Sequence, residues 1–217
     1  MKDDLKLVTA PLKEPLTLAE VKLDRGLDPA DATFNTKLED LITSARQRAE
    51  HDTNRYLIEQ TWDLLLHDGF PWLANCHYQY VPHEIRIPRV PLKVTGGIIH
   101  VKYLDTNGAQ QTLVAGTDYY VGGRGEPAVV VPAHGKSWPS TRNYMGSGGE
   151  APVEVRFTAG YGTNATDVPK RLIEAMLLII GARFENREEI DPGTGGQLGP
   201  IPDGAARIFS EYHFTPW

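Results

Sequence analysis

The sequence predicts an α+β fold in which an antiparallel helical core of three helices carries an inserted antiparallel β region and an extended C-terminal arm. Apolar residues recur at helical spacing near both ends of the chain, short alternating segments lie between them, and a Pro/Gly-rich stretch precedes an aromatic C-terminus. We expect an N-terminal arm over residues 1–16, a helical core over 17–60 and 160–190, a β region over 61–159, and a linker with the C-terminal arm over 191–217.

The short first helix has a clear start signal. Thr17 and Glu20 have the spacing of a capping box, in which each side chain accepts a hydrogen bond from the backbone of the other residue. The helix should run from Leu18 to about Arg25, and Gly26 should end it. Prolines in the preceding arm prevent an earlier start.

A long second helix is expected from about Ala32 to Thr53. Its apolar residues recur at steps of three and four and form one stripe along the helix, namely Phe34, Leu38, Leu41, Ile42, Ala45 and Ala49. The opposite, solvated face should carry Lys37, Asp40, Gln47, Arg48 and Glu50.

The middle of the chain consists of predicted short strands. Thr61–His67 and Glu84–Leu92 concentrate apolar residues between turn signals. The clearest hairpin turns at Asn107-Gly108, a pair that favours the tight turns between antiparallel strands. A later strand should bury one face through Val153, Val155 and Phe157. Strands at this spacing favour a small antiparallel sheet or a barrel-like unit.

A third helix should begin at Asp167 as N-cap, with Pro169 in its first turn, and end near Glu189. Its middle, Met176–Ile180, is apolar almost all round, so a single core contact cannot cover it. Exposing two such side chains would cost about 3–6 kcal/mol. We therefore expect an identical subunit to cover the other side, with the interface residues Leu177, Leu178, Ile180 and Phe184.

The C-terminal segment combines a Pro/Gly-rich linker with an apolar, aromatic end. Such a pairing is typical of an arm that docks on another protein. The predicted partner-binding residues, which would contact another protein or a neighbouring subunit, are Ile201, Ile208, Phe209, Tyr212, Phe214 and Trp217. The alternative is a tail that folds back on the core of its own chain.

The composition excludes several classes of protein. The formal net charge is −6 with both signs well mixed, which argues against a sequence-blind DNA binder because such proteins are normally basic. This charge is compatible with a protein that surrounds DNA without binding it tightly. Cys76 is the single cysteine, which fits a reducing compartment. We find no signal-peptide core and no apolar run of membrane-spanning length, so we expect a soluble, cytoplasmically made protein with no membrane partner.

The sequence Gly135-Lys136-Ser137 matches the end of a phosphate-binding P-loop. The first glycine of that motif is replaced here by Val130, and Pro139 prevents the helix that the motif requires. We therefore expect an ordinary loop, with Trp138 packed down and Lys136 in water.

No other motif meets the demands of catalysis or metal binding. The histidines lack ligand spacing on any predicted helix, and neither C-x-x-C nor G-x-S-x-G occurs. We expect no catalytic residue, no cofactor and no metal ligand. The enzyme alternative is a hydrolase acting from the β region, with a cleft formed by His134, Lys136 and Glu150.

The order of several short motifs carries a family resemblance over nearly the whole chain. These motifs are "RYLIEQTW" (55–62), "IRIPRVPL" (85–92), "YLDTNG" (103–108), "PAHGKSWPSTR" (132–142), "VRFTAGYG" (155–162) and "ENRE" (185–188). Each is weak alone, but in this order the chain resembles the head–tail connector, or head-completion adaptor, family of long-tailed double-stranded DNA phages and related prophages.

The resemblance implies a non-enzymatic virion protein. Such adaptors form a ring, usually a dodecamer, beneath the portal protein, extend the DNA channel and present a docking surface to a tail-side neck or completion protein. DNA would pass without specific binding, and the protein would act in the virion neck after assembly in the bacterial cytoplasm. The resemblance also implies that Gly135-Lys136-Ser137 is a loop without a nucleotide. A tail-completion or neck protein that binds the tail remains the alternative.

Overall fold

The computed structural model describes residues 3–71, 83–122, 126–142, 150–185 and 201–215. They form a mixed α+β structure with four α-helices and antiparallel sheets. In chain order the elements are β1 (Asp3–Thr9), α1 (Leu18–Asp24), α2 (Asn35–Thr53), β2 (Gln60–Leu66), β3 (Ile85–Arg86), β4 (Ile98–Leu104), β5 (Gln110–Leu113), β6 (Tyr119–Gly122), β7 (Val129–Pro132), β8 (Val153–Ala159), α3 (Lys170–Glu185) and α4 (Asp203–Tyr212).

The chain divides into two compact units. So far as the structure describes them, Met1–Ala10 and Glu59–Gly160 form a β unit, and Pro11–Ile58 and Tyr161–Thr215 form a helical unit. The β unit therefore includes residues that we expected in an N-terminal arm. Strand β1 pairs antiparallel with β2, from Asp3 opposite Leu66 to Leu7 opposite Trp62, so these residues are extended as an arm would be but belong to a sheet.

The larger sheet of the β unit has the strand order β1-β2-β8-β4-β5 among the described residues. Strand β8 lies at its centre and pairs with β2 and β4. Its side chains alternate between the two faces, and Val153, Val155 and Phe157 are fully buried. The predicted shared face of these three residues is confirmed.

The predicted hairpin is also confirmed, because β4 and β5 pair antiparallel around Gly108, whose φ of 84° suits glycine. The predicted strand Glu84–Leu92 is much shorter in the structure, where β3 covers only Ile85–Arg86. The prolines at 88 and 91 explain the difference, since a proline cannot donate to a strand ladder.

A smaller sheet of order β3-β7-β6 lies in the same unit. Close to it, Trp138 is buried, and its indole N–H donates to the carbonyl of His83 over 2.7 Å. The ring of Phe70 stacks on Trp138 at 4.7 Å and meets Tyr103 of β4 edge-on at 5.6 Å. The expectation that Trp138 packs down is confirmed.

In the helical unit, α1 begins as predicted. The N–H of Glu20 donates to the Thr17 hydroxyl, and the N–H of Thr17 donates to the Glu20 carboxylate over 2.8 Å. Helix α2 begins at Asn35 rather than at the expected Ala32. The Asp31 carboxylate accepts from the Thr33 N–H over 2.8 Å, and this local turn competes with a helical start.

Residues from all four helices share one core in the helical unit, which includes Leu38, Ile42, Leu172, Met176, Ile179, Ile208 and Phe209. Helix α3 starts at Lys170, and Asp167 precedes it in a short 3-10 helix, where its carboxylate accepts from the Asn164 N–H. Asp167 is therefore not the N-cap of α3. The expected end near Glu189 and the linker up to residue 200 lie outside the described residues. None of the described helices has the length and hydropathy of a membrane span.

The prediction that Glu50 faces solvent is wrong. Glu50 and Arg46 are both buried, and the Arg46 guanidinium contacts the Glu50 carboxylate at 3.0 Å and the Glu14 carboxylate at 2.8 Å. Glu50 also accepts from the backbone N–H of Leu57 over 3.0 Å. This ion-pair network joins the segment before α1 to α2 and to the segment that follows it.

Candidate functional site: the assembly surfaces

The four predicted subunit-interface residues differ widely in exposure. Leu178 is 40% exposed, whereas Ile180 is buried in the core of its own chain. Leu177 is half-buried, and so is Phe184, whose ring meets Phe34 edge-on at 5.4 Å. Of the four, Leu178 has the largest surface for a neighbouring subunit.

The structure corrects the expected C-terminal arm. Residues Asp203–Tyr212 form helix α4, in which Ile208 and Phe209 are buried in the core of the helical unit. Phe214 is also buried, and its backbone N–H donates to the Thr53 carbonyl over 2.9 Å. Residues separated by three or four positions in α4 face the core together, so the segment packs where the sequence suggested a free tail.

Of the other predicted partner-binding residues, Ile201 and Tyr212 are half-buried against the same core, and Trp217 lies outside the described residues. The buried members of this set could reach a portal protein only if α4 and the residues that follow it left the core. Their role in partner binding stays a prediction. Ile201 and Tyr212 have some accessible surface with which to contact a partner.

The loop containing Gly135-Lys136-Ser137 has no helix after it. The Lys136 ammonium, which we expected in water, is partly exposed and lies 2.6 Å from the Asp118 carboxylate. This hydrogen bond, together with one from the Val114 N–H, holds the pKa of Asp118 below its ordinary value. The ion pair between Lys136 and Asp118 closes the loop and accounts for the lysine at this position.

Asp118→Asn should remove an acid-sensitive part of the stability. Because the folded-state pKa is lowered, the contribution of Asp118 is fully present above its unfolded value of about 3.9 and is lost as the pH falls through the lowered value. The variant should therefore be less stable at neutral pH, with the difference from wild type shrinking in acid. Thermal melts between neutral and acid pH measure this difference in stability, with Asp68→Asn at an exposed position as control. A difference independent of pH would contradict the assignment.

The three residues of the hydrolase alternative do not all line the cavity that the structure describes in the β unit. A cavity of about 330 Å³ in the β unit is lined by Glu150 but by neither His134 nor Lys136. Lys136 instead holds Asp118. The geometry gives no support to a cleft formed by this trio.

Sequence reasoning missed an ordered charge network on the polar face of the larger sheet. Arg156 of β8 donates to both carboxylate oxygens of Asp63 on β2, over 2.7 and 2.9 Å. His100 of β4 lies beside it, with Nε2 at 2.7 Å from the Glu154 carboxylate. These residues alternate with apolar ones along each strand, but only the strand register brings them together.

Asp63, His100 and Glu154 also bring possible metal-ligand atoms within 4.8 Å of one another. Both oxygens of Asp63 already accept from Arg156, and the positive charge of that guanidinium beside them disfavours a cation there. The hydrogen bond to Asp63 also raises the pKa of Arg156. Ion pairing therefore accounts for the arrangement.

No protein-family profile and no curated protein sequence matches the chain. Among solved structures, a chain described as "Neck of empty GTA particle computed with C6 symmetry" superposes with a TM-score of 0.72 and 20% identity, over 98% of this chain and 96% of that chain. The fold is that of a gene transfer agent (GTA) particle chain. A chain of "Virion of native gene transfer agent (GTA) particle" gives a TM-score of 0.70 and 18% identity, over 97% and 95%. A chain of "Neck of native GTA particle computed with C12 symmetry" gives a TM-score of 0.63 and 20% identity, over 98% of this chain and 96% of that chain.

Proposed function

We propose that the chain is a structural neck protein of a phage-like particle, an adaptor that forms a ring beneath the portal, extends the DNA channel and provides a docking surface for tail-side proteins. The observation that carries the proposal is the agreement with a GTA neck chain at a TM-score of 0.72 over 98% of this chain and 96% of that chain. The match covers both compact units, so the similarity extends beyond a single common domain.

The ring is supported by the symmetry in the descriptions of the similar structures, which are necks computed with C6 and C12 symmetry. A ring of identical copies requires a heterologous interface, made from two different patches of the same molecule. The chain has apolar surface to contribute, since Leu12, Leu23 and Leu178 are 90%, 79% and 40% exposed. The partners in this proposal are further copies of the chain, the portal protein and a tail-side neck or completion protein.

The same proposal places the protein in the virion neck after assembly in the bacterial cytoplasm and gives it no enzymatic step. The net charge of −6 suits a channel through which DNA slides without sticking, because like charges repel. A tail-completion protein that binds the tail is the second candidate, since the descriptions of the similar structures name the neck and not one of its ends.

Co-sedimentation separates the two candidates. The chain is mixed with the portal protein of its own particle and, separately, with the tail-side protein, and each mixture is centrifuged and imaged by electron microscopy. The adaptor proposal expects rings on the portal. Binding to the tail-side protein alone would favour the second candidate. Binding to neither, with complete particles from a strain that lacks the gene, would contradict both.

Leu178→Asp should weaken assembly on the portal by about tenfold or more, because burying an interface leucine is worth about 1.5–3 kcal/mol and a buried carboxylate is costly. The thermal unfolding temperature of the monomer should change little, since Leu178 is already 40% exposed. Val94→Asp, at a fully exposed position of the β unit, is the matched control. If the Leu178 variant formed rings at wild-type yield, the assignment of Leu178 to the interface would be wrong.

A further inference from the structure

Helix α4 packs on the rest of the helical unit in the way that an amphipathic helix binds a groove. Its apolar side chains Ala205, Ile208 and Phe209 are buried where α4 meets α2 and α3. Their spacing of three and four positions places them on one face of the helix. Arg207 and Ser210 are exposed. One apolar face against two helices is the arrangement by which proteins recognise helical segments of their partners.

The residues after α4 fasten this helix to the end of α2. The backbone N–H of Phe214 donates to the Thr53 carbonyl over 2.9 Å, and His213 Nδ1 lies 2.7 Å from the Asp52 carbonyl. The side-chain amide of Asn54 donates to the Phe214 carbonyl over 2.9 Å. The last carbonyls of a helix have no partner within that helix, so the C-terminal residues complete α2. None of these contacts requires α2 and α4 to belong to the same chain.

The connection from α3 to α4 is far longer than their packing requires. Arg171 at the start of α3 lies 3.2 Å from Glu211 near the end of α4, and a Cβ at Gly204 would lie 3.2 Å from Leu178 Cδ1. The two helices are therefore antiparallel, and the end of α3 is about 15 Å from the start of α4. About 2–8 residues usually connect such neighbours, whereas residues 186–202 can span up to about 55 Å.

We propose that in the ring α4 of each copy binds between α2 and α3 of the neighbouring copy, so that exchanged helices join the subunits. The inference rests on the proposed function, because it presupposes a ring. The occupant fits because it is the same helix, and an identical copy offers every contact that α4 makes within its own chain. Passing α4 from each copy to the next is a heterologous contact, which can close into a ring.

The exchange should occur on assembly and not in the free chain. Both forms contain the same α4 contacts, so the free-energy difference between them comes from the connection and from surface newly buried between copies. In a dilute free chain the tethered α4 has a high effective concentration at its own groove. Copies held side by side on the portal remove that advantage. Leu178 is 40% exposed beside the first turn of α4, where a neighbouring copy would then cover it.

A disulfide between α3 and α4 shows which chain supplies α4. Leu178→Cys with Gly204→Cys places two thiols within reach, since these positions are in contact. Cys76→Ser removes the single native cysteine. The oxidised free chain should give an internally linked monomer. Rings assembled on the portal and then oxidised should give a ladder of covalent multimers on a non-reducing gel.

Each single-cysteine variant is the matched control, because one thiol per chain can link no more than two chains. Internally linked monomers from complete rings would overturn this inference and leave the proposed function standing. Rings in which neither kind of disulfide forms would show that α4 has left the groove, as binding to the portal would require, and would overturn it as well. A wild type without rings would overturn both proposals.

Shortening the connection is an independent test. Deleting residues 190–199 leaves a connection that spans about 23 Å, which is enough for α4 to pack on its own chain. The ring yield on the portal, measured by analytical ultracentrifugation, should fall by about tenfold or more because the shortened tether limits exchange. The free chain should keep its thermal unfolding temperature. A deletion variant that assembles as wild type does would contradict the exchange.

The length-matched control replaces residues 190–199 by the same number of alternating glycines and serines. This variant keeps the reach of the connection and changes its sequence, so its ring yield should stay within about threefold of wild type. A loss as large as that of the deletion variant would show that assembly needs the sequence of the segment and not its length, and it would overturn the inference.

Discussion

Replacing Arg46 by methionine should lower the free energy of unfolding by about 3–5 kcal/mol, the usual cost of removing one partner from a buried ion pair. Arg46 and Glu50 have side chains that are only 9% exposed, so the variant would leave the Glu50 carboxylate buried without its cation. Burial alone would lower the pKa of Arg46, but hydrogen bonds and charges of Glu14 and Glu50 outweigh it and raise the pKa. A guanidinium is not deprotonated in proteins, so Arg46 keeps its positive charge at every pH used in the experiment.

Arg48→Met is a control on the same helix. Arg48 pairs with Asp52 at 2.6 Å, but its side chain is 35% exposed, and pairs of this kind contribute about 0–1 kcal/mol. Urea denaturation followed by circular dichroism gives both values under one set of conditions. Equal losses of unfolding free energy in the two variants would show that the Glu14–Arg46–Glu50 network stabilises the helical unit no more than an exposed ion pair does.

Phe209→Ala should cost about 3–5 kcal/mol of stability, as truncations of buried aromatic side chains do. Phe209 is 2% exposed on α4 and belongs to the core that the helical unit shares. Ser210→Ala, at the neighbouring exposed position, should change the free energy of unfolding by no more than about 0.5 kcal/mol. Calorimetric or denaturant unfolding measures both variants.

The Phe209 experiment also separates two roles of the C-terminal segment. If α4 is a core element, the alanine variant loses stability, and any loss of portal binding follows from unfolding. If the segment acts as a docking arm, the variant keeps the stability of the wild type and loses portal binding specifically. The second result would contradict the packing of Phe209 in the core and would support its predicted role in partner binding.

The elements predicted correctly have local signals. The capping box of α1 needs only Thr17 and Glu20, three positions apart. The β4–β5 hairpin follows from the turn at Asn107-Gly108, and the buried face of β8 follows from simple alternation. In each case the residues that determine the structure are near neighbours in the chain, so a short stretch of sequence contains the whole physical cause.

The candidate assembly surface could be predicted only in part. The apolar run of α3 indicated a helix that needs more than one partner, and Leu178 keeps 40% of its surface exposed. The sequence could not show that α4 covers another side of the same core, since α4 also packs on α2, which lies near the other end of the chain. Composition likewise indicated an aromatic tail without indicating where it packs.

The sequence by itself determined the α+β class, the capping of α1, the hairpin and the face of β8 that is buried. The tertiary structure decided that β1 joins a sheet, that Glu50 is buried beside Arg46, and that α4 belongs to a core. The physical reason is range: capping, turns and alternation act between near neighbours, whereas strand register and core packing join residues more than a hundred positions apart in some cases.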